Sequence, residues 1–173
     1  IHHTAGEYGY DFQILDAVMA VNEKQKVSIV DKILAHYGGD VKGKTFALWG
    51  LAFKPETDDV REAPSLYITK ALAELGAKMK AYDPEAVHTF QAASTPETLA
   101  SMEFTGSRDA ALEGADALII CTEWNEFRRP GIDTFKDALK QPVVFDGRNL
   151  YDLADVEKAG LTYYSVGRPT IHG

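Results

Sequence analysis

The sequence contains little cysteine, no basic block and no long apolar run, and each of these absences narrows the class of protein. Cys121 is the single cysteine among 173 residues, so the chain forms no internal disulfide and no metal site built from several thiolates. The net charge is -8 and no stretch is rich in Lys and Arg. We therefore expect neither nucleic acid nor an anionic membrane as a partner.

No apolar run approaches the roughly 20 residues that cross a bilayer, and the first residues lack the basic-then-apolar order of a secretory signal. We therefore expect a cytoplasmic protein. The 173 residues, 45% of them hydrophobic, suffice for one domain with a sizeable core and an appendage. The chain begins with Ile1 rather than Met and opens like the interior of a longer protein, so we expect it to be a fragment.

Apolar residues recur at spacings of three and four over residues 11–37, which predicts one long helix. Asp11 is placed to be its N-cap, and Gly38 and Gly39 are placed to end it. At 1.5 Å per residue the helix would be roughly 40 Å long, which exceeds what a small domain covers. We assign residues 1–42 to this region and expect its free length to pack on another chain or domain.

Beyond residue 42, short apolar runs alternate with helical patterns, and the run at residues 117–122 is apolar on both faces, as in a central parallel strand. This alternation predicts a doubly wound, mostly parallel α/β sheet with right-handed crossovers over residues 43–173. The predicted strands are 45–49, 78–82, one near 104, 117–122, 143–145 and 163–166, and the predicted helices are 63–75, 84–100 with a restart at Pro96, 109–113, one within 124–139, and 153–159.

Three of the predicted strands end in polar sequences, at residues 50–61, 122–124 and 146–149. Ligands of a doubly wound sheet bind beyond the carboxyl ends of its strands, at the switch point between the two halves. We expect the three loops to line one crevice there. The first loop is not the G-x-G-x-x-G fingerprint of dinucleotide binding, because only Gly50 remains of the pattern. Side chains, rather than bare amides, should therefore hold the ligand.

Phe53, Lys54 and Arg148 are the candidate ligand contacts in these loops. Lys54 offers a mobile ammonium group, Arg148 a fork suited to phosphate oxygens, and Phe53 a flat apolar face. Together they favour a nucleotide diphosphate. Two simpler interpretations stay open, because Lys54 could be only solvated and Arg148 could pair with the neighbouring Asp146.

Other polar residues of the loops have structural explanations. Four acids could suggest a divalent metal, but acids at the start of a helix more often complement its dipole. Arg61 could serve to neutralise them. The acids are Glu56, Asp58, Asp59 and Glu62.

Asp83 ends the second strand, where a dinucleotide-binding fold places a ribose-binding acid, but before Pro84 it fits better as a helix cap. Cys121 lies in an apolar strand with no histidine near it in sequence, so we interpret it as a small buried side chain rather than a nucleophile. His36 and His88 lie in no motif, and we expect no metal site.

Several motifs carry a resemblance to a known family. The chain resembles the C-terminal portion of bacterial UDP-glucose 6-dehydrogenases, within the UDP-glucose/GDP-mannose dehydrogenase family. The resemblance covers nearly the whole chain. It rests on Gly50-Leu51-Ala52-Phe53-Lys54-Pro55, Thr57-Asp58-Asp59-x-Arg61-Glu62-Ala63-Pro64, Tyr82-Asp83-Pro84, Cys121-Thr122-Glu123-Trp124 and Phe145-Asp146-Gly147-Arg148-Asn149.

The resemblance implies a Rossmann-like sheet and an enzyme that oxidises UDP-glucose to UDP-glucuronate in two NAD-dependent hydride transfers, the second through a thioester. It implies that Phe53, Lys54 and Arg148 contact the UDP-sugar, that Arg61 reaches NAD, and that the first helix forms a homodimer. The family's NAD-binding domain and catalytic cysteine have no counterpart here, and Cys121 lies in a different motif. We therefore expect no catalytic residue in this chain and no turnover by it alone.

Two other interpretations stay open. GDP-mannose and UDP-N-acetyl-mannosamine dehydrogenases share the architecture, although the motifs around Cys121 and Arg148 favour UDP-glucose. A non-catalytic module that binds a nucleotide-sugar and dimerises through its first helix would also fit. A hydrolase dependent on Cys121 is a weaker third alternative.

Overall fold

The computed structural model describes residues 12–128, 132 and 134–173. In this part of the chain, six strands form one sheet in the order β3-β2-β1-β4-β5-β6, and every neighbouring pair is parallel. The strands are β1 Thr45–Trp49, β2 Lys78–Tyr82, β3 Met102–Phe104, β4 Ala117–Ile120, β5 Val143–Asp146 and β6 Thr162–Ser165. The predicted doubly wound, parallel sheet is confirmed.

Helices connect the strands, and one long helix precedes the sheet. They are α1 Gln13–His36, α2 Pro64–Glu74, α3 Val87–Ala93, α4 Pro96–Ala100, α5 Arg108–Leu112, a 3-10 helix Asn125–Arg128, α6 Thr134–Ala138 and α7 Leu153–Ala159. Strand β4 is buried along its whole length, and the core of the domain consists of apolar side chains on both faces of the sheet.

The switch point of the sheet lies between β1 and β4. From β1 the chain moves outward to β2 and β3, and it then returns to the other side of β1 to build β4, β5 and β6. The loops after β1 and β4 leave the sheet in opposite directions here, which opens a crevice at the carboxyl ends of the strands.

Helix α1 ends near the predicted position, with Gly38 and Gly39 following it at positive φ. Asp11, its predicted N-cap, lies outside the described residues. In its last third Ile29, Val30 and Ile33 are buried, and the helix packs against α2 and β5. Its first half carries exposed apolar side chains, at Ile14, Val18, Met19 and Val21.

The predicted helix over residues 84–100 is two helices, because Ser94 adopts extended backbone between α3 and α4. The restart at Pro96 is as predicted, and the Thr95 hydroxyl oxygen accepts from the Thr98 amide as a cap. At the other end of the chain, the segment after β6 folds back so that Ile171 forms an antiparallel bridge with Tyr163.

Candidate functional site

The loops after β1 and β4 touch at Gly50, which must be glycine for two reasons. Its φ is +90°, and a Cβ there would lie 2.4 Å from the Cβ of Thr122. The Thr122 hydroxyl donates to the Ala52 carbonyl at 2.6 Å and ties the two loops together. The close contact therefore fixes both sides of the crevice at the switch point.

Asp83, directly after β2, is buried and organises the same loops. One of its carboxylate oxygens accepts from the amides of Leu51 and Ala52, at 2.6 and 3.1 Å, and from the Trp124 indole N–H at 3.1 Å. The other accepts from the Ala86 amide at 2.7 Å. Asp83 is thus not exposed to bind a ribose, and the first amides after β1 are not available to bind a pyrophosphate.

A cavity of about 520 Å³ lies between α1 and the loops after β1, β4 and β5. Phe53, Cys121 and Arg148 line it from the sheet side, and Asn22 and Lys26 line it from α1. The Phe53 ring is half exposed, so it presents an apolar face at the edge of the cavity. Glu23 and Glu62 also line it, and both pair with Lys26. The apolar surface and the Arg148 guanidinium suit a ligand that has both an aromatic ring and an anionic part.

Arg148 is held at the cavity by side chain and backbone. Its Nε donates to the Glu123 carboxylate, and its Nη2 lies 3.5 Å from the Phe53 carbonyl oxygen. Burial raises the pKa of Glu123, but the hydrogen bond with Arg148, a backbone hydrogen bond and the charges of Arg148 and Arg128 together outweigh burial, and the pKa is lowered. The carboxylate paired with the Arg148 guanidinium is Glu123. Asp146, the partner considered from the sequence, accepts instead from the backbone amide of Arg148.

Lys54 and Arg61 do not line the cavity in the described part of the chain. Lys54 is exposed and is not among the described residues that line the cavity. The Arg61 guanidinium is also exposed and is paired with Asp59 at 2.7 Å, which lowers the pKa of Asp59 to about 2. Arg61 thus neutralises an acid of its own loop while pointing into solvent.

A polar cluster joins α1 to the start of α2. Lys26 binds the carboxylates of Glu23 and Glu62 and lies 3.2 Å from the Tyr67 hydroxyl, which donates to Glu62 at 2.9 Å. Burial lowers the pKa of Lys26, but these hydrogen bonds outweigh it and the net shift is upward. Glu62 has a φ of +60°, which is uncommon outside glycine. The cluster therefore fixes the backbone next to Arg61.

Cys121 is fully buried beside the cavity, and burial raises the pKa of its thiol to about 12. The side chain is a neutral thiol at physiological pH, and a nucleophile would need the thiolate. The interpretation of Cys121 as a small apolar side chain follows from this environment.

In the part of the chain that the structure describes, no group of three or more His, Cys, Asp or Glu side chains is arranged to hold a metal ion. None of the described helices is both long and apolar enough to cross a membrane.

The strand order 3-2-1-4-5-6, with a ligand-sized cavity beside the switch point, defines a Rossmann-type α/β domain. Residues 47–153 match the model of the UDP binding domain of the UDP-glucose/GDP-mannose dehydrogenase family. The chain therefore belongs to the UDP-glucose/GDP-mannose dehydrogenase family, as its motifs suggested.

Similar proteins of known family agree with this membership. The chain is 46% identical to the UDP-glucose 6-dehydrogenase TuaD of Bacillus subtilis over 169 residues, which are 95% of this chain and 35% of that protein. It is 45% identical to the UDP-glucose 6-dehydrogenase of Pseudomonas aeruginosa over 168 residues, or 96% of this chain and 37% of that protein. The chain thus spans about a third of the length of these relatives.

A solved structure has the same fold. The UDP-glucose dehydrogenase of the archaeon Pyrobaculum islandicum superposes with a TM-score of 0.72 at 27% identity. The superposition covers 88% of this chain and 33% of that one.

The contribution of α1 to the cavity is not predicted by the sequence. The apolar pattern of the helix indicates only a surface for association, whereas Asn22 and Lys26 line the cavity. A signal was present, because residues 22–26 form a polar block within an otherwise apolar pattern. The organising role of Asp83 had no such signal, since the donors it binds come from three separate loops.

Proposed function

We propose that this chain is the UDP-sugar-binding part of an NAD-dependent UDP-glucose 6-dehydrogenase, which oxidises UDP-glucose to UDP-glucuronate. The observation that carries the proposal is the convergence of Phe53 and Arg148 on one cavity beside the switch point, in a chain that matches a UDP binding domain. The predicted division into a helical region 1–42 and a binding domain 43–173 belongs to the same proposal.

In this proposal Arg148 donates to the diphosphate, since a guanidinium forms paired, charge-assisted hydrogen bonds with phosphate oxygens. Phe53 packs its ring against an apolar face of the ligand, and its carbonyl lies close enough to Arg148 to help orient the guanidinium. Lys54 approaches from the exposed side of the loop after β1 and adds a mobile positive charge. None of these residues has a catalytic role in the proposal.

NAD is the cofactor that the family implies, and it supplies the acceptor for hydride. The loop after β1 does not fit its pyrophosphate, because the Leu51 and Ala52 amides already donate to Asp83. The residue of this chain that fits a contact with NAD is Arg61, whose guanidinium is exposed in the loop after β1. Its role would be to bind NAD held mainly by other parts of the enzyme.

Association and location are part of the same proposal. Helix α1 exposes Ile14, Val18 and Val21 at a spacing of four and three, which is a helical stripe suited to a second copy of the chain. We infer a homodimer through this helix. The negative net charge supports a cytoplasmic enzyme without nucleic acid or membrane partners.

Calorimetric titration of the purified chain tests the ligand assignment. We expect UDP and UDP-glucose to bind, uridine to bind more weakly, and GDP-mannose to bind least. The variants Arg148→Ala and Lys54→Ala should each weaken UDP binding by about 1–3 kcal/mol, the range for a lost charge-assisted contact. Lys140→Ala is the matched control, because Lys140 pairs with Asp116 at the opposite end of the strands.

Two results would contradict the proposal. One is UDP affinity unchanged in both Arg148→Ala and Lys54→Ala. The other is reduction of NAD by the purified 173-residue chain in the presence of UDP-glucose, which would mean that it holds a complete active site. For Arg61→Ala in the full enzyme, we expect weaker NAD binding with little change for UDP-glucose.

A further inference from the structure

Strand β6 and the turn after it contact the loop that carries Arg148. Both lie beyond residue 153, the last that matches the UDP binding domain. Tyr163, in β6, is fully buried, and its hydroxyl lies 2.6 Å from a carboxylate oxygen of Asp146. Arg168 reaches the same hydroxyl with Nη2 at 3.0 Å. A chain of side-chain contacts thus runs from the turn after β6 to the end of β5.

The direction of these hydrogen bonds is fixed by chemistry. A guanidinium has donors and no acceptor, so the Tyr163 oxygen must accept from Arg168 and direct its own hydrogen to Asp146. Burial, together with the nearby Asp146, raises the pKa of Tyr163 far above its usual range, so the hydroxyl keeps its proton. Arg168 is itself held, because its Nη1 donates to the Tyr151 carbonyl at 3.1 Å.

Asp146 transmits this contact to the loop after β5. One of its oxygens accepts from the Arg148 amide at 2.7 Å, and the oxygen that binds Tyr163 also accepts from the Leu150 amide at 2.7 Å. The carboxylate thereby holds the backbone on both sides of Asn149, whose φ is +57°. The position of the Arg148 backbone thus depends on how Asp146 is oriented.

Asn149 gives the loop a second attachment to the end of β6. Its side-chain amide donates to the Val166 carbonyl at 3.0 Å, and its side-chain oxygen accepts from the Val166 amide at 3.0 Å. Val166 also lines the cavity. The loop with Arg148 is therefore held on one side by the carboxylate of Asp146 and on the other by the backbone of residues 163–168.

We propose that Tyr163 and Arg168 are positioning residues for the UDP-sugar site: through Asp146 they hold the Arg148 loop so that the guanidinium faces the cavity. This inference rests on the proposed contact between Arg148 and the diphosphate. An arginine side chain loses considerable conformational freedom on binding, so a backbone held in place before binding lowers the cost of placing its guanidinium on a phosphate.

The test compares two adjacent tyrosines. Tyr163→Phe removes the hydroxyl that binds Asp146, whereas Tyr164→Phe removes one that pairs with His36 Nδ1 at 2.9 Å. We expect Tyr163→Phe to raise the Kd for UDP about threefold to tenfold, the effect of one ordinary hydrogen bond, and Tyr164→Phe to change it less than about twofold. Arg168→Lys, which keeps the charge and loses the fork, should weaken binding in the same direction.

A double substitution separates positioning from general destabilisation. In the Arg148→Ala background, Tyr163→Phe should have almost no further effect on UDP affinity, because the group it positions is gone. An equal loss in both backgrounds would overturn the inference. So would a Tyr163→Phe variant that is folded and binds UDP like the parent chain.

Amide hydrogen exchange measured without ligand makes the test independent of UDP. Tyr163→Phe should speed exchange at the Arg148 and Leu150 amides about tenfold, while Tyr164→Phe should leave both unchanged. Unchanged exchange in Tyr163→Phe refutes the positioning role. Absence of UDP binding by the parent chain, with exchange altered as expected, instead refutes the proposed function.

Discussion

Asp83 and Asp146 occupy equivalent places in the sheet but have different hydrogen-bond partners. Each lies at the carboxyl end of a strand, β2 or β5, and each is buried. Asp83 accepts hydrogen bonds from five N–H groups, which belong to the loops after β1, β2 and β4. Asp146 accepts from three donors, two amides of its own loop and the Tyr163 hydroxyl.

The difference separates a residue that connects the loops of the crevice from one that organises the loop of Arg148, the proposed ligand contact. Asp83 joins segments more than 30 residues apart in sequence, so the switch point itself depends on it. Asp146 organises only a short loop, but that loop contains Arg148. We therefore expect substitution of Asp83 to reduce the free energy of unfolding more than substitution of Asp146. For Asp146, we expect the ratio of lost UDP affinity to lost stability to be the larger of the two.

The largest effect should follow Asp83→Asn. The amide keeps one acceptor oxygen and places an NH₂ group against buried N–H donors, so we expect a loss of about 3 kcal/mol in the free energy of unfolding. Urea denaturation followed by circular dichroism measures it. Asp152→Asn is the control, because Asp152 is an exposed N-cap where asparagine serves equally well. A loss below about 1 kcal/mol would mean that Asp83 does not assemble the loops.

Asp146→Asn should cost less stability, about 2 kcal/mol, because fewer donors are left without an acceptor and the Tyr163 hydroxyl can rotate. Its effect on UDP affinity should be larger, relative to stability, than that of Asp83→Asn. Titration of UDP at a temperature where both variants are folded makes the comparison. Equal ratios of affinity loss to stability loss in the two variants would remove the distinction between these carboxylates.

Trp124→Phe sharpens the comparison by removing a single donor to Asp83. The ring remains apolar and aromatic, and the carboxylate keeps its four backbone amides, so we expect a loss of about 1 kcal/mol in unfolding free energy. Urea denaturation is again the measurement, with Trp49, the other tryptophan, as the fluorescence probe of both proteins. A loss as large as that of Asp83→Asn would show that the indole, rather than the carboxylate, connects the loops.

The sheet could be predicted from the sequence because its strands are short apolar runs separated by helical patterns. Each such pattern is visible within a short stretch of neighbouring residues. The end of α1 and the restart at Pro96 could likewise be predicted, since glycine and proline act on neighbouring residues. The three loops could be placed together because parallel strands end at one edge.

Individual partners within that edge could not be predicted. The sequence suggested Asp146 as the partner of the Arg148 guanidinium, because it is a neighbour along the chain, but the partner is Glu123, 25 residues away. Lys54 and Arg148 were grouped together although the structure places only Arg148 in the cavity lining. Such choices depend on side-chain direction and burial after folding, and local sequence patterns carry neither.

The smallest effect should follow Glu123→Gln, which tests the side chain of Arg148 as Asp146→Asn tests its backbone. Burial raises the pKa of Glu123, but its hydrogen bonds and the nearby arginines, chiefly Arg148, together lower it below its ordinary value of 4.5. A carboxyl group with a lowered pKa in the folded state stabilises the protein above that ordinary value, and this contribution is lost as the pH falls through the folded pKa. Because the pair is partly exposed, the difference in unfolding free energy between parent and variant should stay below about 1 kcal/mol at neutral pH and vanish in acid.

Removal of the Glu123 charge should also strengthen UDP binding by about twofold to fivefold, because Arg148 is released from a competing carboxylate and one negative charge beside its guanidinium is removed. Titration of UDP into both proteins at neutral pH measures this change. The direction of the change in UDP affinity distinguishes between two roles for Glu123. Tighter binding means that Glu123 competes with phosphate for Arg148, whereas weaker binding would mean that Glu123 aims the guanidinium and that backbone position alone, held by Asp146, is insufficient.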